Sequence, residues 1–329
     1  MQCRSVRVLL LFSVILLFAV NTPAPLVYRA GEGWSYEPVG GGSWTRTRAE
    51  DQLEVAKVAF DKKDFKLSNK AARRVVRVWP FSDYAPEAQY LVGRSYEESG
   101  RDEKAFKAYQ TLIEKFPKST QYEEVVERQY QIANRYLAGQ WFKLWGFIPF
   151  FPSMDKTVQM YEKLIANGPY SEVAPKAQLN IGAAREKQSD FPAAVKAYET
   201  AADKYHDRRQ VAADALFKAG LAYLKQAKTA EYDQSIAGQA IATFTDFVTL
   251  YPQDPRVPEA QSHIASLRTE QARGSMLVAR FYEKNRQWNG ALVYYNEVLV
   301  RDPQSKYAEE ARQRIEQIKP LALQQTAQN

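Results

Sequence analysis

The chain has 329 residues, of which 25% are charged and 45% hydrophobic, with a net charge of +7. That balance is ordinary for a soluble folded protein. One cysteine, Cys3, and two histidines, His206 and His263, exclude disulfides and thiolate metal sites. The basic excess reads as spread along helices, as at Arg73, Arg74, Arg77 and at Arg208, Arg209. Solvated faces account for it, with a mild attraction to anionic membrane surfaces and no nucleic-acid partner.

The N-terminus reads as an export signal over residues 1–24. Arg4 and Arg7 precede Val8–Val20, which is apolar except for Ser13. Such a core suits a signal peptide and falls short of the ~20 residues that span a bilayer. Pro25 follows the otherwise suitable Ala24, so two readings stand: a cleaved signal, or an uncleaved anchor reaching Val27. Both place the bulk of the chain beyond the inner membrane.

Residues 25–47 hold Tyr28, Trp34, Tyr36, the run Gly40–Gly42 and Trp44. Their Gly and Pro content predicts an extended segment. It is either a spacer or a strap whose aromatics dock on the structure that follows.

From residue 48 a slot pattern recurs six times: a small residue, an aromatic three on, Ala twelve on, an aromatic four later, then Pro. The clearest copies are Gly93, Tyr96, Ala105, Tyr109, Pro117 and Ala279, Tyr282, Ala291, Tyr295, Pro303. Degenerate copies begin at Ala56, Ala133, Gly182 and Gly220, the third and fifth interrupted by insertions. This is the tetratricopeptide signature, a helix–turn–helix unit of about 34 residues. Small residues let the helices of a pair approach, aromatics fill the gap between neighbouring pairs, and Pro ends the second helix.

The prediction for 48–319 is therefore an all-α helical-hairpin solenoid. Its pairs fall near 48–79, 85–116, 121–167, 173–205, 211–251 and 258–301. A capping helix at 305–318 stops before Pro320, and 320–329 is a frayed tail. The insertion at 139–152 carries Trp141, Phe142, Leu144, Trp145, Phe147, Ile148, Phe150 and Phe151 around the single charge Lys143. Three fates compete for it: plugging the superhelix groove, lying in a membrane interface, or docking a partner. The second insertion, 226–235, is polar and reads as a loop or an extended helix end.

First helices line the groove of such a superhelix, which points Leu53, Lys57, Tyr90, Arg94, Tyr130 and Asn134 inward. Rings alternating with donors suit an extended peptide with apolar side chains and a carboxylate. The paired Lys and Asn of a chaperone-type carboxylate clamp are absent from these slots. Glu97, Glu98, Glu123 and Glu124 read as solvated. No nucleophile elbow, phosphate loop or metal-spaced His/Glu cluster occurs, so no catalytic residue, metal or cofactor is expected.

Two stretches resemble the BamD-like (YfiO-type) outer-membrane assembly factors. One is Trp79-Pro80-Phe81-Ser82-Asp83-Tyr84-Ala85, followed by Glu87–Tyr96. The other is the run Ala279, Tyr282, Trp288, Ala291, Leu299, Pro303, Ser305 and Ala308. The resemblance covers about 48–318. It implies a periplasmic, outer-membrane-associated, non-enzymatic scaffold that binds unfolded β-barrel substrates and the central barrel component of the assembly machine. Carried over by position, Trp79, Phe81, Tyr84 and Tyr90 become candidates for substrate contact and Arg280, Tyr282 and Trp288 for the partner side, with plain packing the other reading of Trp79, Tyr282 and Trp288. The pattern departs in two respects: Cys3 precedes the apolar core, so it is not a lipid-bearing cysteine, and six repeats stand where five are usual. The rival functions are a general envelope scaffold in cell-wall or pilus assembly and an envelope hydrolase.

Overall fold

The computed structural model describes residues 26–31, 33–36, 44–144, 148–151, 153–229 and 234–328. Residues 1–24, read as an export signal, and residues 37–43 lie outside them, as do Trp145 and Phe147. Two compact units divide the chain, the first comprising 1–132 with 142–150 and the second 133–141 with 151–329.

Unit one contains α1 (Ala49–Asp61), α2 (Phe65–Val78), α3 (Ala85–Glu98), α4 (Asp102–Lys115) and most of α5 (Tyr122–Leu137). Packing runs between α1 and α2, α2 and α3, α3 and α4, with α1 also touching α3. Contact with the next helix and the next but one is the signature of stacked hairpins. Its core joins Ala49, Leu53, Ala56, Ala72, Val75 and Trp79 to Ala88 and Val92. Leu53 is thus a core residue and not a groove residue, because its slot faces the α2 side of its own hairpin.

Unit two contains the last turn of α5, then α6 (Met154–Asn167), α7 (Ala174–Lys187), α8 (Phe191–Lys204) and α9 (Arg209–Thr229). It continues with α10 (Gln234–Leu250), α11 (Val257–Lys284), α12 (Trp288–Arg301) and α13 (Lys306–Gln328). The same neighbour-to-neighbour packing runs from α6 to α13. The fold is an all-α tetratricopeptide-type solenoid. Its pairs within each unit match the slot pattern, and α13 caps the last of them with Ala311 and Ile318 buried.

Turns between paired helices share one device. Lys63, Gly100, Ser189 and Arg286 all take positive φ, between 56° and 65°, two residues before the second helix. Asp64 and Asp190 follow two of them and cap α2 and α8 by accepting from Leu67 N and Ala193 N.

Three expectations change. The segment expected to be extended, 25–47, is not simply so: β1 (Leu26–Arg29) and β2 (Gly33–Tyr36) pair antiparallel, Tyr28 opposite Trp34. Their turn docks on the α2–α3 junction, where Asp83 N donates to Gly31 O at 2.8 Å. The aromatic insertion forms a second two-stranded ribbon, β3 (Phe142–Leu144) with β4 (Ile148–Phe151). Finally, α13 does not stop before Pro320 but runs through it to Gln328. Burial of Ile318 and Ala322 on either side holds the helix despite the lost N–H.

Candidate functional site

The repeat slots make a recurrent internal contact. A Cβ added to Gly93 would lie 2.2 Å from Tyr109 Cε1, and one added to Gly182 would lie 2.3 Å from Tyr198 Cε1. The second aromatic therefore fills the space inside its own hairpin, correcting the expectation that it fills the gap between pairs. Tyr109 Oη then donates to Glu97 Oε2 at 2.7 Å, and Tyr198 Oη to Glu186 Oε1 at 2.7 Å. Tyr295 donates to Glu283 in the same way. Each of these carboxylates also meets a cation from a later helix: Arg128, Lys225 and Arg314 respectively. Glu97 is consequently 14% exposed and not a solvated face.

Around the first of these contacts, the first helices of three successive hairpins share one polar ladder. Lys57 on α1 pairs with Glu87 on α3 at 2.6 Å. On α3, Arg94 donates to Tyr90 Oη at 3.1 Å and to Glu98 at 3.0 Å, and its guanidinium lies 5.3 Å from the Phe60 ring centroid. Tyr90 Oη donates in turn to Glu124 on α5 at 2.5 Å. Arg128 closes the ladder, reaching Glu124 at 2.8 Å and Glu97 at 3.4 Å.

The electrostatics follow from those contacts. Burial pulls Arg94 down, but the Tyr90 hydroxyl and Glu98 outweigh it and hold the guanidinium above its ordinary value. Glu124 is held below the usual carboxylate range, since Tyr90 and Arg128 overcome a burial penalty of opposite sign. Burial, then Glu97, pushes the Tyr109 hydroxyl up. Arg94 Nε is a buried donor with no hydrogen-bond partner. The ladder thus offers a fixed cation beside one ring, which suits a carboxylate carried next to an apolar group.

The sequence-derived residues divide on inspection. Lys57, Tyr90 and Arg94 come together on the ladder, and Tyr130 is half-buried on α5. Asn134 belongs to unit two, where its Oδ1 accepts from Tyr161 Oη at 2.7 Å and Asn180 Nδ2 at 2.9 Å. Trp79 is 1% exposed and is a packing residue, so it offers no surface to a ligand. Tyr84 packs partly into the same core, while Phe81 is 94% exposed at the α2–α3 junction. Trp141 is exposed and Phe142 buried; the side chains of Phe150 and Phe151 lie outside the described residues.

Near the C-terminus, Arg280 grips Glu310 with contacts of 2.6 and 2.7 Å. Tyr282 stacks on Tyr294 at 5.4 Å, and Trp288 packs against the local core. The larger exposed groups there are ones the slots passed over: Leu277 and Phe281 on α11, Val293 and Val300 on α12. Glu97, Glu124 and Arg128 were also missed. The signal for Glu97 was legible, since a Glu follows the small residue by four in three of the six copies. Among the described residues no group of three or more His, Cys, Asp or Glu is placed to hold a metal, and no helix is long and apolar enough to cross a membrane.

Two family models match the chain. One describes the YfiO outer membrane lipoproteins and covers residues 152–328; the other is a tetratricopeptide repeat over 87–119. No curated protein matches. Among solved structures, the C-terminal part of a tetratricopeptide-containing protein from Cytophaga hutchinsonii is 14% identical. That overlay covers 80% of this chain and 87% of the other, at a TM-score of 0.37. A tetratricopeptide protein from Parabacteroides merdae is 13% identical over 80% and 96% of the two chains, at 0.34. MamA from Desulfovibrio magneticus RS-1 is 12% identical over 63% and 97%, at 0.33.

Proposed function

The chain belongs to the YfiO family of outer membrane lipoproteins, and on that premise we propose that it is a non-enzymatic periplasmic scaffold of outer-membrane β-barrel assembly. The observation that carries this reading is the family match over 152–328, joined to an all-α solenoid of tetratricopeptide-type hairpins. Unit one supplies the substrate site in this reading. An unfolded barrel segment lies along α1, α3 and α5, its terminal aromatic ring against Tyr90 and its carboxylate on Arg94. Arg94 already holds one guanidinium edge on Glu98, so the incoming carboxylate meets a cation whose direction is fixed in advance. Phe81, exposed at the α2–α3 junction, is a further candidate contact in the same unit.

Unit two supplies the partner surface, with Arg280 and the exposed Leu277 and Phe281 on α11 as its contacts. A half-exposed cation beside apolar side chains has the composition of an interface. The ribbon β3–β4 with exposed Trp141 is a second candidate for partner or membrane contact.

The test is recovery of the native envelope complex through a C-terminal tag in mild detergent. Co-purification of a large outer-membrane barrel with periplasmic repeats is the expected result. Recovery of cell-wall or pilus proteins instead overturns the assembly reading and leaves only the fold.

A further inference from the structure

Away from the ladder, the second helices of the first two hairpins build a cleft of about 1070 Å³ with an unusual charge. One side, from α2, carries Lys66, Lys70, Arg73, Arg74 and Arg77. Their spacing of three and four keeps them on one helix face. The other side, from α4, carries Lys104, Lys107 and Lys115. α3 packs against both helices and contributes Val92 and Tyr96, with Val76 and Ala108 beside them. Trp44 also lines the cleft, and Lys70 Nζ sits 4.2 Å from its ring centroid.

No carboxylate lines this space, and none of its eight cations makes an ion pair among the described residues. The contrast with the first helices is direct, since Lys57, Arg94 and Arg128 are all paired there. Of the cations expected to be spread along solvated faces, Arg73, Arg74 and Arg77 converge with five lysines on this cleft, while Arg208 pairs with Glu172 elsewhere. Like charges so gathered repel one another and lower the stability of the empty protein. Arg74 registers this, held below its ordinary value by burial and by neighbouring Arg77.

We propose that this cleft docks an acidic amphipathic segment of a partner protein. Its carboxylates reach both rows of cations while its apolar side chains cover Val76, Val92 and Ala108. Charge complementarity selects an anion, and the apolar floor selects among anions. A sugar–phosphate backbone has no apolar side with which to cover that floor. A headgroup layer is flat and meets only the outermost cations of a cleft between two helices.

The experiment uses the full chain and a fluorescein-labelled helical peptide with leucines on one face and glutamates on both flanks. Anisotropy should show binding that weakens as salt rises. The triple variant Lys70→Glu, Arg73→Glu, Lys107→Glu should weaken it by at least about tenfold, as loss of several charge pairs predicts. The control variant Lys163→Glu, Lys176→Glu, Lys284→Glu, with the same net charge, should bind like the parent. Equal loss in both variants overturns the proposal and assigns the effect to bulk charge. Tighter binding of oligothymidylate, or of vesicles containing phosphatidylglycerol, overturns it in favour of a phosphate ligand. Circular dichroism checks the fold; if charge reversal unfolds the chain, the three glutamine substitutions replace it and must show the same ranking.

Discussion

Tyr109 Oη lies 2.7 Å from Glu97 Oε2, across a hairpin whose helices meet at Gly93. The same three positions, small residue, Glu four on and Tyr sixteen on, recur at Gly182, Glu186, Tyr198 and at Ala279, Glu283, Tyr295. One hydrogen bond is modest, but a buried carboxylate that loses its donor is costly. Tyr109→Phe should therefore destabilise unit one by about 1–3 kcal/mol, read as a lower denaturation midpoint. Gly93→Ala should do at least as much, because a methyl group 2.2 Å from a fully buried ring forces backbone movement. An unchanged midpoint in Gly93→Ala would contradict the packing described.

Those tyrosines also set an alkaline limit. Burial first, and the adjoining glutamate second, push Tyr109, Tyr198 and Tyr295 above the ordinary phenol value. The folded state therefore keeps protons that the unfolded chain releases from about pH 10. By linkage their contribution is complete below that pH and is lost as pH rises above it. Replacing all three with Phe should flatten the alkaline limb of a stability–pH curve while lowering stability at neutrality. A limb of unchanged slope would mean these hydroxyls do not couple to folding.

Residues held at positive φ make a third prediction. Lys63, Ser189 and Arg286 occupy the turn slot that Gly100 fills without strain. A side chain in the left-handed region costs about 1–2 kcal/mol, partly offset by the chain entropy glycine loses. Lys63→Gly and Ser189→Gly should thus be neutral or stabilising by up to about 1 kcal/mol. Gly100→Ala should destabilise by a similar amount. Thermal melts of the three variants give the ranking.

What could be read from sequence tracks the range of the interaction. The hairpins were legible because Gly93, Tyr109 and Pro117 mark one local unit that repeats. Core burial of Leu53 was not, since it depends on which neighbour the helix meets. Cations of α2 and α4 lie some forty residues apart along the chain, so their convergence on one cleft has no linear signature. The ribbons at 26–36 and 142–151 escaped for a different reason: strands of three or four residues give too few alternations to register a period of two. Pro320 misled because the rule that proline ends helices yields where flanking residues are buried.

The groove assignment yields the last prediction. Tyr90 and Arg94 together hold the Glu98 and Glu124 contacts of the ladder, yet both are only partly buried and neither belongs to the buried core. The double substitution Tyr90→Ala, Arg94→Ala should therefore leave the solenoid folded, with its helical dichroism intact. If peptides bearing the C-terminal signal of a β-barrel use this ladder, the double variant should bind them at least about tenfold more weakly, since a ring and a charge-assisted pair are both removed. Arg94→Lys separates the two contributions. Lysine keeps the charge but cannot hold Glu98 and a peptide carboxylate in one planar fork, so it should fall between parent and double variant. Equal affinity in parent and folded double variant, measured by calorimetry, would remove Tyr90 and Arg94 from the substrate site and shift attention to exposed Phe81 at the α2–α3 junction.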